Sequence, residues 1–400
     1  MQLRLRDYVF PILITLVAVN LLVLFSIRPY EYNVSSMIRI SQNEAEGVVP
    51  EYFQKGMVIF KDKGGYDGQF YYYAARDPFM QEGYFTNPYR RQRVLYPLLS
   101  NILALGSPER LAYSMYAVNL LSLGLGMFFF IGILRRCGVN PYMSLFYGLS
   151  APSMMAMLYD VPSPLSFFLI IASIYYYIDS RLMPREQRID KKLIVSSLFM
   201  ALAFLTREDS IMVLAPLIAW DLQQEKSIRR AIILAASLLP FFLWQFFVAL
   251  KLGSIPASAS TDAIRFIPFA GITEYFVPQI KGVGGLGMKA LLTLSASVMV
   301  LVFFSAVSVA VVAALRVKQE LYYYIVSAYC LLVLFTVASQ WDNYNGLLRM
   351  FYGLFPFLVL AYCVEKKRSF KYLVWSTAAL SFLAVVRVLF VSPVYPYILW

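Results

Sequence analysis

A polar and aromatic stretch, YDGQFYYYAARDP at residues 66–78, stands out because most of the remaining chain is apolar. Its first carboxylate, Asp67, could act as a general base that takes the proton from an acceptor hydroxyl group. Asp67 also precedes a helix-compatible run, and aspartate is a preferred N-cap residue, so spacing alone favours the capping role. The two roles are compatible. Asp77 precedes Pro78, which favours a turn because proline disfavours helical backbone in the residue before it.

Three arginines follow in the same polar segment, at Arg90, Arg91 and Arg93. The planar guanidinium group presents N–H groups in pairs that match the oxygens of a phosphate. The cluster is a candidate site for a lipid phosphate or pyrophosphate, with contact to ordinary anionic lipid as the alternative. Tyr71 and Tyr72 could stack on a sugar ring or an isoprenoid chain, although tyrosines also anchor helices at the depth of the lipid headgroups.

Four further ionisable residues lie near the ends of apolar segments: Asp160, Arg207, Glu208 and Arg349. Ionisable groups at membrane depth are costly, and they usually face a cavity or one another. Arg207 and Glu208 could instead form the solvated apex of a helical hairpin. Arg349 lies just inside an apolar segment, where a ligand for a membrane-buried phosphate headgroup would be expected.

The composition of the 400-residue chain requires a lipid environment. It is 60% hydrophobic and 14% charged, whereas soluble domains carry about 25% charged residues. The net charge of +12 does not indicate nucleic acid, because most basic residues flank apolar segments and set their orientation. With no histidine in the chain, no metal site and no required cofactor are predicted. Asp67 with Asp77 or Asp160 could hold a divalent cation, but no ligand spacing supports one.

We therefore predict an all-α, polytopic membrane protein that forms a single domain over residues 1–400. Apolar runs of about 20 residues can cross a bilayer, at a rise of about 1.5 Å per residue. The run at 94–106 is short and is predicted as a re-entrant or interfacial helix. About eleven spans are predicted, at about 8–27, 111–134, 142–158, 164–179, 193–205, 211–220, 231–250, 290–315, 321–338, 347–363 and 371–390.

The basic residues orient these spans, because positive charge accumulates on the cytoplasmic side. Arg4 and Arg6 place the N-terminus in the cytoplasm. Segments 28–93 and 251–289 then form the two long outer loops, the first of them carrying the candidate catalytic residues, and the C-terminus lies outside. The two short apolar runs on either side of residues 206–210 are predicted as a hairpin, since one long helix would move the next basic loop outside.

Two motifs of the first loop resemble those of C-type (GT-C) membrane glycosyltransferases, which include the GPI mannosyltransferases. YDGQFYY at 66–72 resembles their first-loop motif (W/Y/F)DGx(F/W/Y)Y, and RVLYPLL at 93–99 resembles the LYPLL that follows it. VNLL at 118–121 and LTRE at 205–208 resemble further parts of the pattern. The chain is most similar to a bacterial family of cell-surface glycopolymer formation proteins, in which both loop motifs occur in the same order.

The resemblance implies a polytopic fold with the catalytic aspartate, Asp67, in the first outer loop and a polyprenyl-phosphate sugar as donor. It also implies that outward-facing arginines, Arg207 and Arg349, hold the donor phosphate. Gln69 and Tyr96 belong to the two loop motifs and are candidate substrate contacts. Further candidate substrate contacts are Asp77, Asp160 and Glu208. Several such enzymes carry a large soluble C-terminal domain that this sequence lacks, so we expect the outer loops or a partner to recognise the acceptor.

The expected function is transfer of a sugar from a polyprenyl-phosphate donor to a cell-envelope glycan or lipid acceptor, with inversion at the anomeric carbon. The expected location is the outer face of a bacterial plasma membrane. The partners would be the donor, the acceptor and membrane lipid, with no nucleic acid. A transporter or flippase for lipid-linked saccharides is the alternative, since it would have similar spans, aromatics and buried arginines. A third hypothesis is a non-catalytic scaffold of a cell-envelope complex, which predicts that Asp67 is dispensable for function.

Overall fold

The computed structural model describes residues 5–45, 53–61, 65–83, 85–181, 191–256, 267–282, 287–317, 320–342, 348–365, 368–390 and 394–400. Parts of the predicted outer loop at 251–289, of the basic loop after residue 181 and of the predicted outer turn at 340–345 lie outside these residues. The described part is almost entirely helical.

The α-helices are numbered in chain order. They are α1 (Arg6–Ile27), α2 (Gln42–Ala45), α3 (Gly68–Arg76), α4 (Pro88–Arg91), α5 (Leu95–Leu103), α6 (Pro108–Arg136), α7 (Leu145–Gly148), α8 (Ala151–Leu158), α9 (Ser163–Arg181), α10 (Lys191–Thr206), α11 (Ile211–Gln223), α12 (Ile228–Ala235), α13 (Leu239–Leu252), α14 (Ala270–Lys281), α15 (Met288–Leu315), α16 (Leu321–Leu334), α17 (Ala338–Asp342), α18 (Leu354–Glu365) and α19 (Arg368–Phe390). Short 3-10 turns join some of these helices.

Five apolar helical segments of the described chain are long enough to cross a membrane: α1, α6, the continuous pair α12–α13, α15 and α19. They have 23–29 residues, which corresponds to about 35–43 Å, against a hydrocarbon core of about 30 Å. Their outer faces expose large apolar side chains such as Leu21, Phe246 and Phe382. A surface of this kind requires lipid as its solvent, so the architecture is compatible with a membrane-embedded protein.

Two predictions about short segments agree with the structure. α5 has nine residues, or about 14 Å, and is too short to cross a bilayer. α10 and α11 are separate helices and not one long helix. Arg207 between them has an extended backbone (φ −156°, ψ 131°), and the 3-10 turn Glu208–Ser210 follows it. The charged residues therefore lie at a turn between two helices, as the sequence predicts.

Two predicted spans are broken, so the prediction of continuous helices is wrong there. In segment 142–158, α8 begins after a break because Ser150 caps it by accepting a hydrogen bond from a first-turn N–H, and Pro152 suits a first turn. Segment 347–363 is divided by a turn at 351–353, which precedes α18. Apolar composition alone does not reveal such breaks, because the residues on both sides remain hydrophobic.

The second predicted outer loop, 251–289, contains helix α14. Its Phe276 ring packs 5.5 Å from the ring of Trp341 in α17, which holds the helix against the bundle. The prediction of an outer loop rich in glycine, proline and serine does not include this helix, because Pro278 lies inside it and Gly271 is its second residue. Tertiary packing supplies the stability that local propensity does not provide.

A three-stranded sheet is an exception to the all-α prediction. Strand β1 (Ile40–Ser41) pairs in parallel with β2 (Val58–Phe60), which pairs antiparallel with β3 (Tyr397–Leu399). Strands this short carry no periodic pattern, so the sequence could not predict them. The pairing of β2 with β3 puts the C-terminus on the same side of the bundle as the first loop, which agrees with the predicted topology.

Gly68 allows the close approach that positions the polar stretch. It is the first residue of α3. A Cβ atom at this position would lie 2.6 Å from the carbonyl oxygen of Ile38 and 2.7 Å from that of Tyr159. Both oxygens belong to backbone and cannot rotate away, so glycine fits here and a larger residue does not.

Gly68→Ala is therefore expected to destabilise the protein by about 1–3 kcal/mol, the usual cost of overpacking. The measurement is the thermal unfolding midpoint of the purified wild-type and variant proteins, all in the same detergent. Gly124→Ala in α6 is the matched control, because its added Cβ would make only ordinary contact, 3.8 Å from a methyl group of Leu16. Equal unfolding midpoints for the two variants would contradict the close packing at Gly68.

Candidate functional site

Asp67 immediately precedes α3, and the position of α3 is fixed by packing against the rest of the protein. The three tyrosines at residues 71–73 are buried in the core. The backbone N–H of Tyr66 donates to the carbonyl oxygen of Arg39 at 2.9 Å. The backbone of Asp67 is therefore fixed on both sides, while its side chain remains 17% exposed.

The carboxylate of Asp67 does not cap α3. The Asp67 backbone is helical (φ −59°, ψ −25°), and its side chain makes no capping hydrogen bond. An N-cap residue usually has an extended backbone, which lets its side chain reach the first N–H groups of the helix. The capping role that spacing favours is therefore wrong, and the carboxylate points to partners elsewhere in the fold.

Two arginines bind the two oxygens of Asp67. Nη1 of Arg90 lies 2.9 Å from Oδ1, and Nη2 of Arg349 donates to Oδ2 at 2.5 Å. Arg90 belongs to the first loop, whereas Arg349 lies 282 residues after Asp67 in the sequence. The three side chains remain 17–23% exposed. The arrangement thus combines paired charges with access from solvent.

The arginines determine the protonation of Asp67. Burial alone would raise the pKa of its carboxyl group, but the guanidinium groups of Arg349 and Arg90 outweigh burial and hold the pKa well below the usual range. Asp67 is therefore ionised at neutral pH. It is also a weak base as long as both arginines contact it, because a general base works best with a pKa near the operating pH.

Aromatic rings support both guanidinium groups. Arg90 lies 4.5 Å from the centre of the Phe70 ring, and Arg349 lies 5.2 Å from the centre of the Tyr66 ring. The faces of aromatic rings attract cations. Tyr66 packs in turn on Tyr159 at 4.5 Å. Burial raises the pKa of the Tyr66 hydroxyl to about 12 against the opposing effect of Arg349, so this hydroxyl stays neutral.

Arg93 forms a second ion pair next to the first. It contacts both carboxylate oxygens of Glu208, with Nε donating at 2.8 Å, and it donates to the hydroxyl groups of Tyr71 at 2.7 Å and Tyr89 at 3.0 Å. Burial would raise the pKa of Glu208, but the guanidinium group of Arg93 lowers it to about 2. Most N–H donors of Arg93 are thus used within the protein.

Arg207 is likewise paired within the protein. Its Nε and Nη2 bind Asp209 at 3.1 and 2.6 Å, and its Nη1 donates to the hydroxyl of Ser163 at 2.5 Å. No contact in the described chain joins Arg207 to Asp67 or Arg349. The implied role of Arg207 as a phosphate ligand would require it to leave Asp209.

Asp160 and Tyr96 lie beneath the site. The Tyr96 hydroxyl donates to Oδ1 of Asp160 at 2.9 Å, and the amide of Asn119 donates to the same oxygen at 3.0 Å. Burial raises the pKa of Asp160 to about 7, against the effect of these two hydrogen bonds. Asp160 and Tyr96 are completely buried and bind each other, so their predicted contact with a substrate stays a prediction. They brace the turn between α8 and α9.

Other candidates from the polar stretch are structural. Gln69 accepts a hydrogen bond from the backbone of Ser41 at 3.0 Å, which ties α3 to β1. The carboxylate of Asp77 accepts from two backbone N–H groups at 2.8 and 3.0 Å, as a turn residue does. Tyr71 and Tyr72 are buried, and the hydroxyl group of Tyr71 accepts a hydrogen bond from Arg93 at 2.7 Å.

The described residues contain no group of three or more cysteine, aspartate or glutamate side chains that could hold a metal ion. The three aspartates considered for a divalent cation are each engaged separately. Asp67 binds two arginines, Asp77 binds backbone N–H groups, and Asp160 is buried with Tyr96.

Several side chains that complete the site are not among the site residues predicted from the sequence. They are Tyr66, Phe70, Tyr89, Ser163 and Asp209. The first three lie close in sequence to Asp67 or Arg90, and this proximity could have indicated that they belong to the site. No feature of the sequence indicates Ser163, because only the fold brings it to Arg207.

An apolar groove of about 570 Å³ opens between α1, the break between α7 and α8, and α19. It is lined by Ala18, Leu21, Leu22, Phe25, Leu145, Phe146, Leu149, Met154, Ala378, Ser381, Phe382, Val385 and Leu389. Apart from Ala378, which is at the middle of α19, its residues on α1 and α19 lie in the halves of these helices that lead to the first loop and to β3. The groove is therefore at the same end of the bundle as Asp67, and its lining suits a hydrocarbon chain.

No protein-family model, curated protein or solved structure matches this chain. The chemistry of the site therefore has to be inferred from its geometry. The carboxylate can accept a proton from a hydroxyl group, although only weakly while both arginines contact it, and the guanidinium groups of these arginines can bind an anion. These are the two requirements of group transfer from a phosphate-linked donor.

The pKa of Glu208 predicts how stability depends on pH. Because this pKa is lowered from 4.5 to about 2, the Arg93–Glu208 pair stabilises the fold fully above pH 4.5. That contribution is lost as the pH falls towards 2. Glu208→Gln is therefore expected to lower the unfolding midpoint at pH 7 and to lose less stability than the wild type between pH 4.5 and 2.

Thermal unfolding at a series of pH values tests this expectation. Asp7→Asn is the control, because Asp7 also pairs with an arginine, Arg6, but at 4.0 Å and with 61% of the Arg6 side chain exposed, so this pair contributes little. We expect a smaller loss of stability in this control at pH 7. A Glu208→Gln curve parallel to that of the wild type would show that the pair does not stabilise the fold.

Proposed function

We propose that this protein is a GT-C-type glycosyltransferase that moves a sugar from a polyprenyl-phosphate donor to a cell-envelope glycan or lipid acceptor. One observation carries the proposal: the partly exposed carboxylate of Asp67 lies between the guanidinium groups of Arg90 and Arg349. The carboxylate is the base, and the arginines are the donors that stabilise the departing phosphate.

The reaction needs one base and one set of cations. The acceptor oxygen attacks the anomeric carbon and forms the new glycosidic bond, while its proton passes to Asp67. The bond between the anomeric carbon and the phosphate oxygen breaks, and its electron pair stays on the phosphate. Polyprenyl phosphate leaves as an anion that Arg90 and Arg349 stabilise, so no second carboxylic acid is required. A direct displacement of this kind inverts the anomeric carbon.

The apolar groove supports a lipid-linked donor. Its volume lies within the range of small-molecule sites, about 300–1,000 Å³. It contains side chains from four helices and opens between apolar surfaces that lipid would cover. A polyprenyl chain in this groove would hold the phosphate at the end of the bundle where Asp67 lies.

The placement proposed for the enzyme is the plasma membrane of a bacterium, with the N-terminus in the cytoplasm and the site outside. The basic residues between spans support this orientation. Nucleotide sugars are confined to the cytoplasm, so an outward-facing transferase requires a donor that is carried by the membrane. The same-side pairing of β2 with β3 supports a common outer side for the first loop and the C-terminus.

A transporter or flippase for lipid-linked saccharides remains the second candidate. The breaks before α8 and before α18 favour it, because transporters often bind their substrates at discontinuous helices. Such a protein would move its ligand without transferring a sugar. The two functions differ in the chemical role of Asp67, which accepts a proton in a transferase and does not in a transporter.

Asp67→Asn tests the proposed function because asparagine keeps the size of aspartate and cannot accept the proton. We expect at least about a 100-fold loss of transfer, the lower contribution of general-base catalysis. The variant is expressed at the wild-type level in a host strain that lacks its own copy. Mass spectrometry of surface glycans and lipid-linked sugars should then show loss of one modification and accumulation of its donor lipid.

Asp179→Asn is the matched control for this experiment. Asp179 also lies between two cations, with Arg136 at 2.8 Å and Lys192 at 3.5 Å, and its side chain is 14% exposed. It lies at the opposite end of α9 from Ser163, about 24 Å along the helix. The control should leave the glycans unchanged. Unchanged glycans in Asp67→Asn would exclude Asp67 as the base and favour transport or a scaffold.

A second variant tests the groove. Ala18→Trp should fill part of it and weaken binding of a long-chain polyprenyl phosphate about tenfold, or about 1.4 kcal/mol. Binding of a short-chain isoprenyl phosphate should not change, because a short chain does not need the groove. Val17→Trp is the control, since Val17 is exposed and does not line the groove. An equal loss for both chain lengths would contradict this role of the groove.

A further inference from the structure

The two ion pairs of the Asp67 carboxylate conflict with its proposed role as a general base. Both carboxylate oxygens are held by arginines, at 2.9 Å from Arg90 and 2.5 Å from Arg349. A carboxylate that is paired in this way holds its negative charge and accepts a proton poorly. The structure therefore shows the base in a masked form.

The two arginines that mask Asp67 differ from the other arginines of the site. Arg93 makes contacts with Glu208 and two tyrosines, and Arg207 makes contacts with Asp209 and Ser163. In the described chain, Asp67 is the only side-chain hydrogen-bond partner of the guanidinium groups of Arg90 and Arg349. Their remaining N–H groups can bind a second anion.

We propose that the donor phosphate competes with Asp67 for Arg90 and Arg349, so that donor binding itself unmasks the base. This inference rests on the proposed function and adds a regulatory step to it. A phosphate carries more oxygens than a carboxylate and accepts forked hydrogen bonds from arginine. When it draws the two guanidinium groups towards itself, the carboxylate loses part of its positive surroundings and becomes a better base.

The aromatic rings beneath the arginines allow this exchange. Arg90 lies over Phe70 and Arg349 over Tyr66, so each guanidinium group keeps a favourable contact when it turns from one anion to the other. Arg90 also belongs to α4, a helix of only four residues in the first loop. The backbone of Asp67 is fixed by the packing of α3. The exchange therefore requires motion of the arginines and not of the base.

The consequence is an ordered reaction. Without donor, Asp67 is paired and does not activate an acceptor hydroxyl group. With donor bound, the same arginines hold the phosphate as a leaving group, and Asp67 is free to take the proton. The proton and the negative charge thus end on different groups: the proton on Asp67, and the charge on the phosphate between Arg90 and Arg349.

Competition makes a prediction that a simple phosphate site does not. Removing the carboxylate should improve phosphate binding, because the arginines no longer have to leave a partner. We expect Asp67→Asn to bind a long-chain polyprenyl phosphate about tenfold more tightly than the wild type, which is about 1.4 kcal/mol. The full-length protein in lipid nanodiscs is titrated with polyprenyl phosphate, and the corresponding polyprenol controls for binding of the chain. Asp179→Asn should bind with wild-type affinity.

A double-variant cycle separates competition from plain repulsion between two negative charges. If Asp67 competes through Arg90, the gain from Asp67→Asn shrinks in an Arg90→Gln background. An undiminished gain there would overturn the proposal, because it would mean that the carboxylate only repels the phosphate through space. Unchanged phosphate affinity in Asp67→Asn would also overturn it.

These outcomes are distinct from failure of the proposed function. If Asp67→Asn abolishes sugar transfer but leaves phosphate affinity unchanged, the transferase stands and the unmasking does not. If sugar transfer persists in Asp67→Asn, the proposed base is wrong, whatever the affinity. If polyprenyl phosphate binds no better than polyprenol, the arginines are not a phosphate site and both proposals fail.

Discussion

The carboxylate of Asp67 joins parts of the chain that are far apart in sequence. Arg90 reaches it from a four-residue helix of the first loop, and Arg349 reaches it from the region before α18. An ionised carboxylate that is largely buried is costly unless cations neutralise it. The position of α3, the close approach of Gly68 to two carbonyl groups and the aromatic rings under the arginines all serve this pairing.

The opposite end of the bundle shows what purely structural charge pairing looks like. There Arg230 and Asp221 pair at 3.2 Å, Tyr177 donates to Asp221 at 2.7 Å, and Arg230 donates to Ser180 at 3.0 Å. These groups are almost completely buried and join α9, α11 and α12. The Asp67 site has the same kinds of groups, but its side chains remain partly exposed. A ligand can reach a partly exposed ion pair and exchange with one of its groups, whereas a completely buried ion pair only holds the helices together.

The long apolar helices could be predicted from the sequence because length and hydrophobicity are local properties. α1, α6, α15 and α19 agree with predicted spans to within a few residues. The break at Ser150 could not be predicted from length and hydrophobicity, since it arises from a serine cap and a proline in the following first turn. The helix α14 could not be predicted either, since it depends on packing against α17. The three short strands are stabilised by backbone pairing between residues near position 40, near position 58 and at the C-terminus, and no local pattern encodes that pairing.

The chemical types of the groups in the site can be predicted from the chain alone: a carboxylate in the first loop, nearby arginines and a further arginine near a late apolar segment. Which of these groups meet depends on the folded structure. It brought Asp67 to Arg90 and Arg349, paired Arg93 with Glu208 and Arg207 with Asp209, and buried Asp160 and Tyr96. The physical reason is that charge pairing and burial act over a few ångströms in space, and spacing along the chain does not report that distance.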